Sequence, residues 1–177
     1  DYHKVIRSKL KKLVRKIEDH LTKKKYHNFR ARVFTDSAPI LEKAYAEQAG
    51  IGWIGKNTLL LNEQAGSWFF LGEILTNLPL PASDKSPINR CGSCSACIEV
   101  CPTNAFVAPY ELDARKCISY LTIEHKGIID EDLRALMGNK IFGCDDCQLA
   151  CPWSKNAPET NEMDFSPRHN LDSSALL

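Results

Sequence analysis

The sequence predicts an α+β protein in two parts, an α/β portion over residues 1–80 and a cysteine-bearing domain over 81–155, with a linker or tail over 156–177. Three observations predict it. Apolar residues recur at helical intervals through the first 21 positions, short alternating or apolar runs follow as far as residue 76, and all eight cysteines lie between 91 and 151. Pro79 to Arg90, with three prolines and little apolar material, marks the boundary.

With 177 residues, 44% of them apolar, and a net charge of +1, the composition excludes a disordered chain and a fibre, and the length suffices for a core without covalent staples. No run approaches the roughly 18 apolar residues of a membrane span, and no secretory signal precedes the fold. The expected location is therefore the cytoplasm, where thiols stay reduced. The helical pattern begins at once from Asp1, which reads as part of a longer protein.

Tyr2, Ile6, Leu10, Leu13, Ile17 and Leu21 define the apolar face of the first helix. Residues 1–32 carry 12 basic and 3 acidic side chains, a local balance of +9 within a nearly neutral chain. Lys4, Lys11, Lys12, Arg15 and Lys16, with Lys23, Lys24, Lys25, Arg30 and Arg32, form either a solvated face or a stripe for a phosphate backbone. Arg30 to Thr35 alternates as a strand does. Asp36-Ser-Ala-Pro39 has the form of a helix start, and Gly50 that of its C-cap. Gly50 to Asn57 places three glycines in six residues, which would let backbone approach a flat ligand or a phosphate, although it is not a P-loop. Thr58 to Asn62 and Trp68 to Thr76 read as strands of one hairpin turning at Glu63 to Ser67. Further helices are expected near 103–107, 110–124 and 130–137.

Cys91, Cys94, Cys97 and Cys101-Pro102 give Cys-x2-Cys-x2-Cys-x3-Cys-Pro, the bacterial ferredoxin run for 4Fe-4S clusters. Three closely spaced thiolates wrap one cluster, and the fourth cysteine serves the other. Cys117, Cys144, Cys147 and Cys151-Pro152 repeat the ending with a distant first ligand. The spacing thus predicts one cluster on Cys91, Cys94, Cys97 and Cys151, and a second on Cys101, Cys117, Cys144 and Cys147. Two four-cysteine zinc sites are the competing reading, but zinc spacings come as separated pairs and rarely as a triplet followed by Cys-Pro. Disulfides conflict with the compartment and with the crowding of Cys91, Cys94 and Cys97. Two adjacent clusters make a short electron relay, which needs an acceptor; the first 80 residues are expected to hold it.

Taken together, these segments resemble the epoxyqueuosine reductases, cobalamin-dependent enzymes that complete queuosine synthesis in tRNA. The resemblance lies in Thr35 to Tyr45, Gly50 to Asn57, Gly66 to Glu73, Cys91 to Pro102 and Gly143 to Trp153, in that order. It implies a cobalamin-binding portion followed by a ferredoxin-like domain with two 4Fe-4S clusters. It also implies reduction of an epoxide on the wobble base of tRNA to an alkene; a separate reducing donor and a monomeric enzyme are expected beside it. The cleaved C–O bond needs a proton. By resemblance the donor is Asp36, which also faces the cofactor and would need a partly apolar pocket to hold its proton near neutral pH. Without the resemblance, Asp36 would read as an N-cap. Lys56 and Asn57 are expected to contact the corrin amides or nucleotide loop, and Ser119 and Asp145 to stand where cofactor and cluster meet. Asp1-Tyr-His-Lys-Val-Ile6 lacks the glycine of the Asp-x-His-x-x-Gly motif, so no histidine ligand to cobalt is expected. With tRNA as partner, the basic stripe would hold the anticodon stem-loop by its phosphates. The cobalamin-dependent reductive dehalogenases share the two-cluster wiring more distantly. They are one alternative, and a non-catalytic two-cluster electron-transfer module is another.

Overall fold

The computed structural model describes residues 1–84 and 87–166. In chain order its elements are α1 (Tyr2–Lys23), β1 (Ala31–Phe34), α2 (Glu42–Gln48), β2 (Trp53–Ile54), β3 (Leu60–Leu61), β4 (Glu73–Thr76), α3 (Ala96–Glu99), β5 (Phe106–Ala108), β6 (Glu111–Leu112), α4 (Ile118–Ile123), α5 (Glu131–Met137) and α6 (Asp146–Leu149), with short 3-10 turns between some of them. No helix among the described residues is long and apolar enough to cross a membrane.

The chain divides into two compact units that interleave in sequence. One comprises Asp1–Glu42, Phe70–Pro81 and the segment from Pro158; the other comprises Lys43–Phe69 and Ala82–Ala157. The linear division at residue 80 therefore does not describe the compact units, because residues 43–69 pack with the cysteine segment. The expected tail over 156–177 likewise begins in the cysteine unit and passes into the first unit at Pro158, and its last eleven residues lie outside the described ones.

In the helix–strand unit, the Asp1 side chain caps α1 by accepting the His3 N–H at 3.0 Å. The inward face carries Ile6, Leu10, Val14, Ile17 and Leu21; Leu13 is 47% exposed, so the step from Leu10 runs to Val14 and not to Leu13. β1 pairs antiparallel with β4, Phe34 opposite Glu73 and Ala31 opposite Thr76. A Cβ on Gly72 would stand 2.9 Å from both Ile6 Cγ2 and Leu10 Cδ1, which is how α1 lies so close to the edge of this ribbon.

In the cysteine unit, the expected hairpin of 58–62 with 68–76 does not form: β3 pairs with β2, and β4 belongs to the other unit. The reason lies in the glycine segment. A Cβ on Gly52 would fall 1.9 Å from the Leu61 carbonyl oxygen, and one on Gly55 2.5 Å from Leu61 Cδ1. Gly52 and Gly55 thus serve a close approach to β3. Glu63 to Ala65 do turn, closed by an isolated bridge between Asn62 and Gly66. Two small cores result, one of Trp53, Leu61 and Cys151 with Trp153 edge-on at 5.2 Å, the other of Ile118, Leu121 and Met137. Each fully buried aliphatic or aromatic side chain contributes about 1.5–3 kcal/mol.

Beyond the first cysteine run, the helix expected at 103–107 is instead a turn leading into β5. Asn104 adopts φ +48° and Tyr110 φ +69°, while the Asp113 N–H closes on the Ala105 carbonyl at 2.8 Å. The 110–124 expectation shrinks to α4, preceded by β6 and a 3-10 turn; 130–137 is realised as α5. All three strand pairs are antiparallel, so the described residues of 1–80 contain no parallel sheet. The α+β class stands.

Candidate functional site

The two cysteine runs fold alike. Cys91 is tied by its N–H to Asn89 Oδ1 at 3.0 Å, Cys94 N–H returns to the Cys91 carbonyl, and Gly92 supplies φ +50° for the tight loop. One helical turn follows in each run, α3 and then α6, and delivers the last cysteine with its proline. Cys91, Cys94, Cys97 and Cys151 border one cavity of about 380 Å³ that opens to solvent. Cys101, Cys117, Cys144 and Cys147 border a second, of about 670 Å³. Among the described residues, no three His, Cys, Asp or Glu side chains are arranged to hold a single metal ion.

The electrostatics of these thiols follow from burial. Burial pushes Cys97 up first, and the neighbouring Cys151 and Cys91 add to it. Cys144 is raised by burial as well. Cys147 is pushed up to about 12, chiefly by burial and then by Cys117, Cys144, Cys97 and Cys101. Four thiolates cannot ionise together in such a place unless positive charge sits among them. Iron would supply that charge, and a cubane would suit a cavity rimmed by four sulfurs better than a lone ion does. Cys101 Sγ already accepts the Ala105 N–H at 3.3 Å, a donor suited to a thiolate.

Behind the thiols stand the residues of the Gly55-Lys-Asn-Thr58 turn. Lys56 Nζ donates to the Gly92 carbonyl at 2.7 Å and the Cys94 carbonyl at 2.9 Å, tying down the first cysteine loop. Asn57 is 3% exposed and borders both cavities. Its Oδ1 accepts the Leu59 N–H at 3.2 Å, whereas Nδ2 is buried with no protein acceptor. Leaving such a donor unpaired costs about 1–3 kcal/mol, so a group filling the cavities is expected to receive it. Ser119, on α4, and Asp145, before α6, line the larger cavity, where Asp145 also accepts from Gln148 Nε2 at 2.7 Å.

Asp36 lies in the helix–strand unit, on the loop after β1. Thr35 before it is wholly buried and donates its hydroxyl to the Leu71 carbonyl at 2.8 Å, which fixes where the loop leaves the ribbon. Asp36 adopts φ +53°, a left-handed conformation that carries strain for a residue with a side chain. Its N–H donates to Glu42 Oε1 at 2.6 Å, and its Oδ2 accepts from the Tyr2 hydroxyl and lies 3.3 Å from His3 Nε2. The side chain is 62% exposed. The described residues thus surround it with polar groups and not with the partly apolar pocket expected. The N-cap alternative fails too, because α2 begins at Glu42.

Sequence reasoning missed Glu42, Glu73, Tyr2 and His3 as the setting of Asp36. Burial first, then the charge and hydrogen bond of Glu42, push Glu73 up to about 7. Its Oε2 is buried without a donor, and two adjacent carboxyls can satisfy each other only through a shared proton. The one available signal was the position of Glu42 and Glu73 inside the two motifs that also hold Asp36 and Gly72.

Residues 90–154 match the family described as a 4Fe-4S double cluster binding domain, and residues 1–37 match the one described as Epoxyqueuosine reductase QueG, DUF1730. The chain is 57% identical over 176 residues to an epoxyqueuosine reductase of Pseudomonas aeruginosa, covering 99% of this chain and 47% of that protein. To the Escherichia coli epoxyqueuosine reductase it is 54% identical, covering 100% of this chain and 45% of the relative. The chain therefore spans about half the length of these relatives. A crystal structure of epoxyqueuosine reductase with an epoxyqueuosine-modified tRNA-Tyr stem loop superposes with a TM-score of 0.80 at 40% identity, over 90% of this chain and 40% of that one. A Bacillus subtilis epoxyqueuosine reductase, in which a catalytic aspartate loop is swung out of the active site, gives 0.75 at 38% identity, over 88% and 39%.

Proposed function

The chain belongs to the epoxyqueuosine reductase family, and on that premise we propose that it works in the reduction of epoxyqueuosine to queuosine at the wobble position of tRNA. The balance is epoxide plus two electrons and two protons to alkene plus water. The observation that carries the reading is the gathering of eight thiols, four to a cavity, around the buried donor of Asn57.

The chain carries a two-cluster 4Fe-4S domain, and we assign one cluster to Cys91, Cys94, Cys97 and Cys151 and the other to Cys101, Cys117, Cys144 and Cys147. Such clusters supply single electrons at low potential, and cobalamin, proposed as the reacting centre, supplies a low-valent cobalt able to attack an epoxide. The Ser119 hydroxyl and the Asp145 carboxylate offer a donor and acceptors of the kind that amide-fringed corrin requires. We assign to Asp36 the delivery of a proton to the epoxide oxygen, with the Tyr2 hydroxyl and His3 ring on Oδ2 positioning its carboxyl and Glu42 fixing its backbone. Solvent access to this side chain suits a group that must be reprotonated at every turnover. The basic face of α1 supplies phosphate contacts to the tRNA. The setting is the cytoplasm, with a separate reducing donor feeding a monomeric enzyme.

The test is an anaerobic assay of the whole enzyme on tRNA bearing the epoxide base, with Asp36→Asn beside wild type. The variant should turn over at least about 100-fold more slowly while retaining iron and sulfide. Equal rates would remove Asp36 from the proton step, and a wild-type enzyme without turnover on this tRNA would remove the reading itself.

A further inference from the structure

Asn57 is held where it is by backbone. The Thr58 N–H closes on the Gly55 carbonyl at 2.9 Å, the Gly55 N–H on the Leu59 carbonyl at 2.8 Å, and Thr58 takes φ +62° to complete the turn. From β5–β6, the Tyr110 N–H holds the Lys56 carbonyl at 3.0 Å. The amide cannot be turned around without loss, since Oδ1 is committed to the Leu59 N–H. That orientation leaves Nδ2, an obligatory donor, buried and unpaired beside two cavities whose rims are sulfur.

We propose that Asn57 is a hydrogen-bond donor to the iron–sulfur relay, its Nδ2 serving sulfur acceptors of the bound clusters and setting the potential at which electrons pass. The inference rests on the two-cluster reading and gives Asn57 a role toward the clusters in place of the corrin contact expected from its motif. An N–H···S bond stabilises the reduced cluster, which is the more negative one, and so raises its potential. Because Asn57 borders both cavities, a single side chain acts at the junction of the relay. Lys56 supports this arrangement differently. Its ammonium is spent on the Gly92 and Cys94 carbonyls, so it fixes a cluster loop and adds a positive charge without being the donor to sulfur.

The test uses the whole enzyme, purified anaerobically, with Asn57→Asp and Asn57→Leu. Asn57→Asp keeps the acceptor for Leu59 but loses the donor, so the turn is preserved. Both variants should retain wild-type iron and sulfide and show a midpoint potential shifted negative at one cluster or both, further for Asp because of its charge. Wild type labelled with 15N-asparagine should show a nitrogen coupling to a reduced cluster in pulsed EPR. Unchanged potentials in cluster-replete variants would overturn the inference. So would the absence of that coupling, even if neither variant folds. Wild-type protein holding zinc and no sulfide would instead overturn the two-cluster reading on which it stands.

Discussion

The two units place their chemistry in opposite surroundings. In the cysteine unit several functional atoms adjoin the core: Cys151 packs with Trp53 and Leu61, Cys144 against Ile118 and its neighbours, and the Asn57 donor is buried, although Cys94 is exposed. In the helix–strand unit Asp36 stands in solvent on a strained loop, held by the Tyr2 and His3 side chains at its carboxylate and by its own N–H on the Glu42 carboxylate. Electrons tunnel best through rigid, dry surroundings, where low-potential clusters are also protected from solvent. Protons must be replenished from water. On the roles proposed above, a redox relay and a proton donor call for different surroundings, and the two units offer one of each.

The sharpest way to break this comparison is to remove iron and sulfide. If the thiols are part of the core, chelation should deprotect backbone amides throughout 91–154 in hydrogen exchange, by roughly a thousandfold or more, equivalent to about 4 kcal/mol. Amides of β1 and β4 should keep their protection. Equal loss in both regions would mean that the units do not differ as described.

A smaller but still large effect is expected at Gly52. Its alanine Cβ would meet the Leu61 carbonyl oxygen at 1.9 Å, a backbone atom that cannot give way. Gly52→Ala should lower stability by about 3 kcal/mol, in the range of overpacked sites. Gly92→Ala meets no atom within 4 Å and suffers only its φ of +50°, so about 1 kcal/mol is expected there. Equal melting temperatures for the two variants would refute the close approach of β2 to β3.

The carboxyl pair beside Asp36 predicts a pH dependence confined to the helix–strand unit. Glu73, pushed up to about 7 from an ordinary 4.5, binds its proton more tightly in the folded state. Its contribution is therefore fully present below about 4.5 and is lost as the pH rises through about 7. Glu73 is only partly buried, and screening by solvent reduces the effect to roughly 1 kcal/mol. Glu73→Gln should flatten the stability curve between about pH 5 and 8 relative to wild type. Parallel curves would mean that no proton is shared.

The contrast between the units also governs what the sequence disclosed. Thiol spacing is local chemistry, and the two sets of four read from Cys91 to Cys151 are the two sets that border the two cavities. The strand at 30–35 and the helix at 130–137 were legible for the same reason, since their periodicity is complete within a few residues. The pairing of β1 with β4 was not, because it joins residues about forty apart across a segment that belongs to the other unit. The packing of Gly52 and Gly55 was hidden in the same way: their close partner, Leu61, lies beyond their own segment. The Asp36 setting was hidden further, since Tyr2 reads as one more apolar position of α1 until its hydroxyl is seen on the carboxylate.

The smallest expected effect concerns α1, whose outward side chains have no core to answer to. Lys23, Lys24 and Lys25 are all exposed at its C-terminal end, where positive charge also complements the helix dipole. If they bind tRNA phosphates, replacing all three with Ala should weaken binding less than about tenfold near physiological salt. It should also reduce the slope of log affinity against log salt by roughly 0.7–0.9 for each phosphate no longer neutralised. The slope separates the two uses of these lysines. Removing the dipole contribution would lower helix stability without changing how binding responds to salt, whereas removing phosphate neutralisation flattens the salt response at full helicity. An unchanged slope would return this stripe to the solvent and leave the tRNA to be held by other parts of the enzyme.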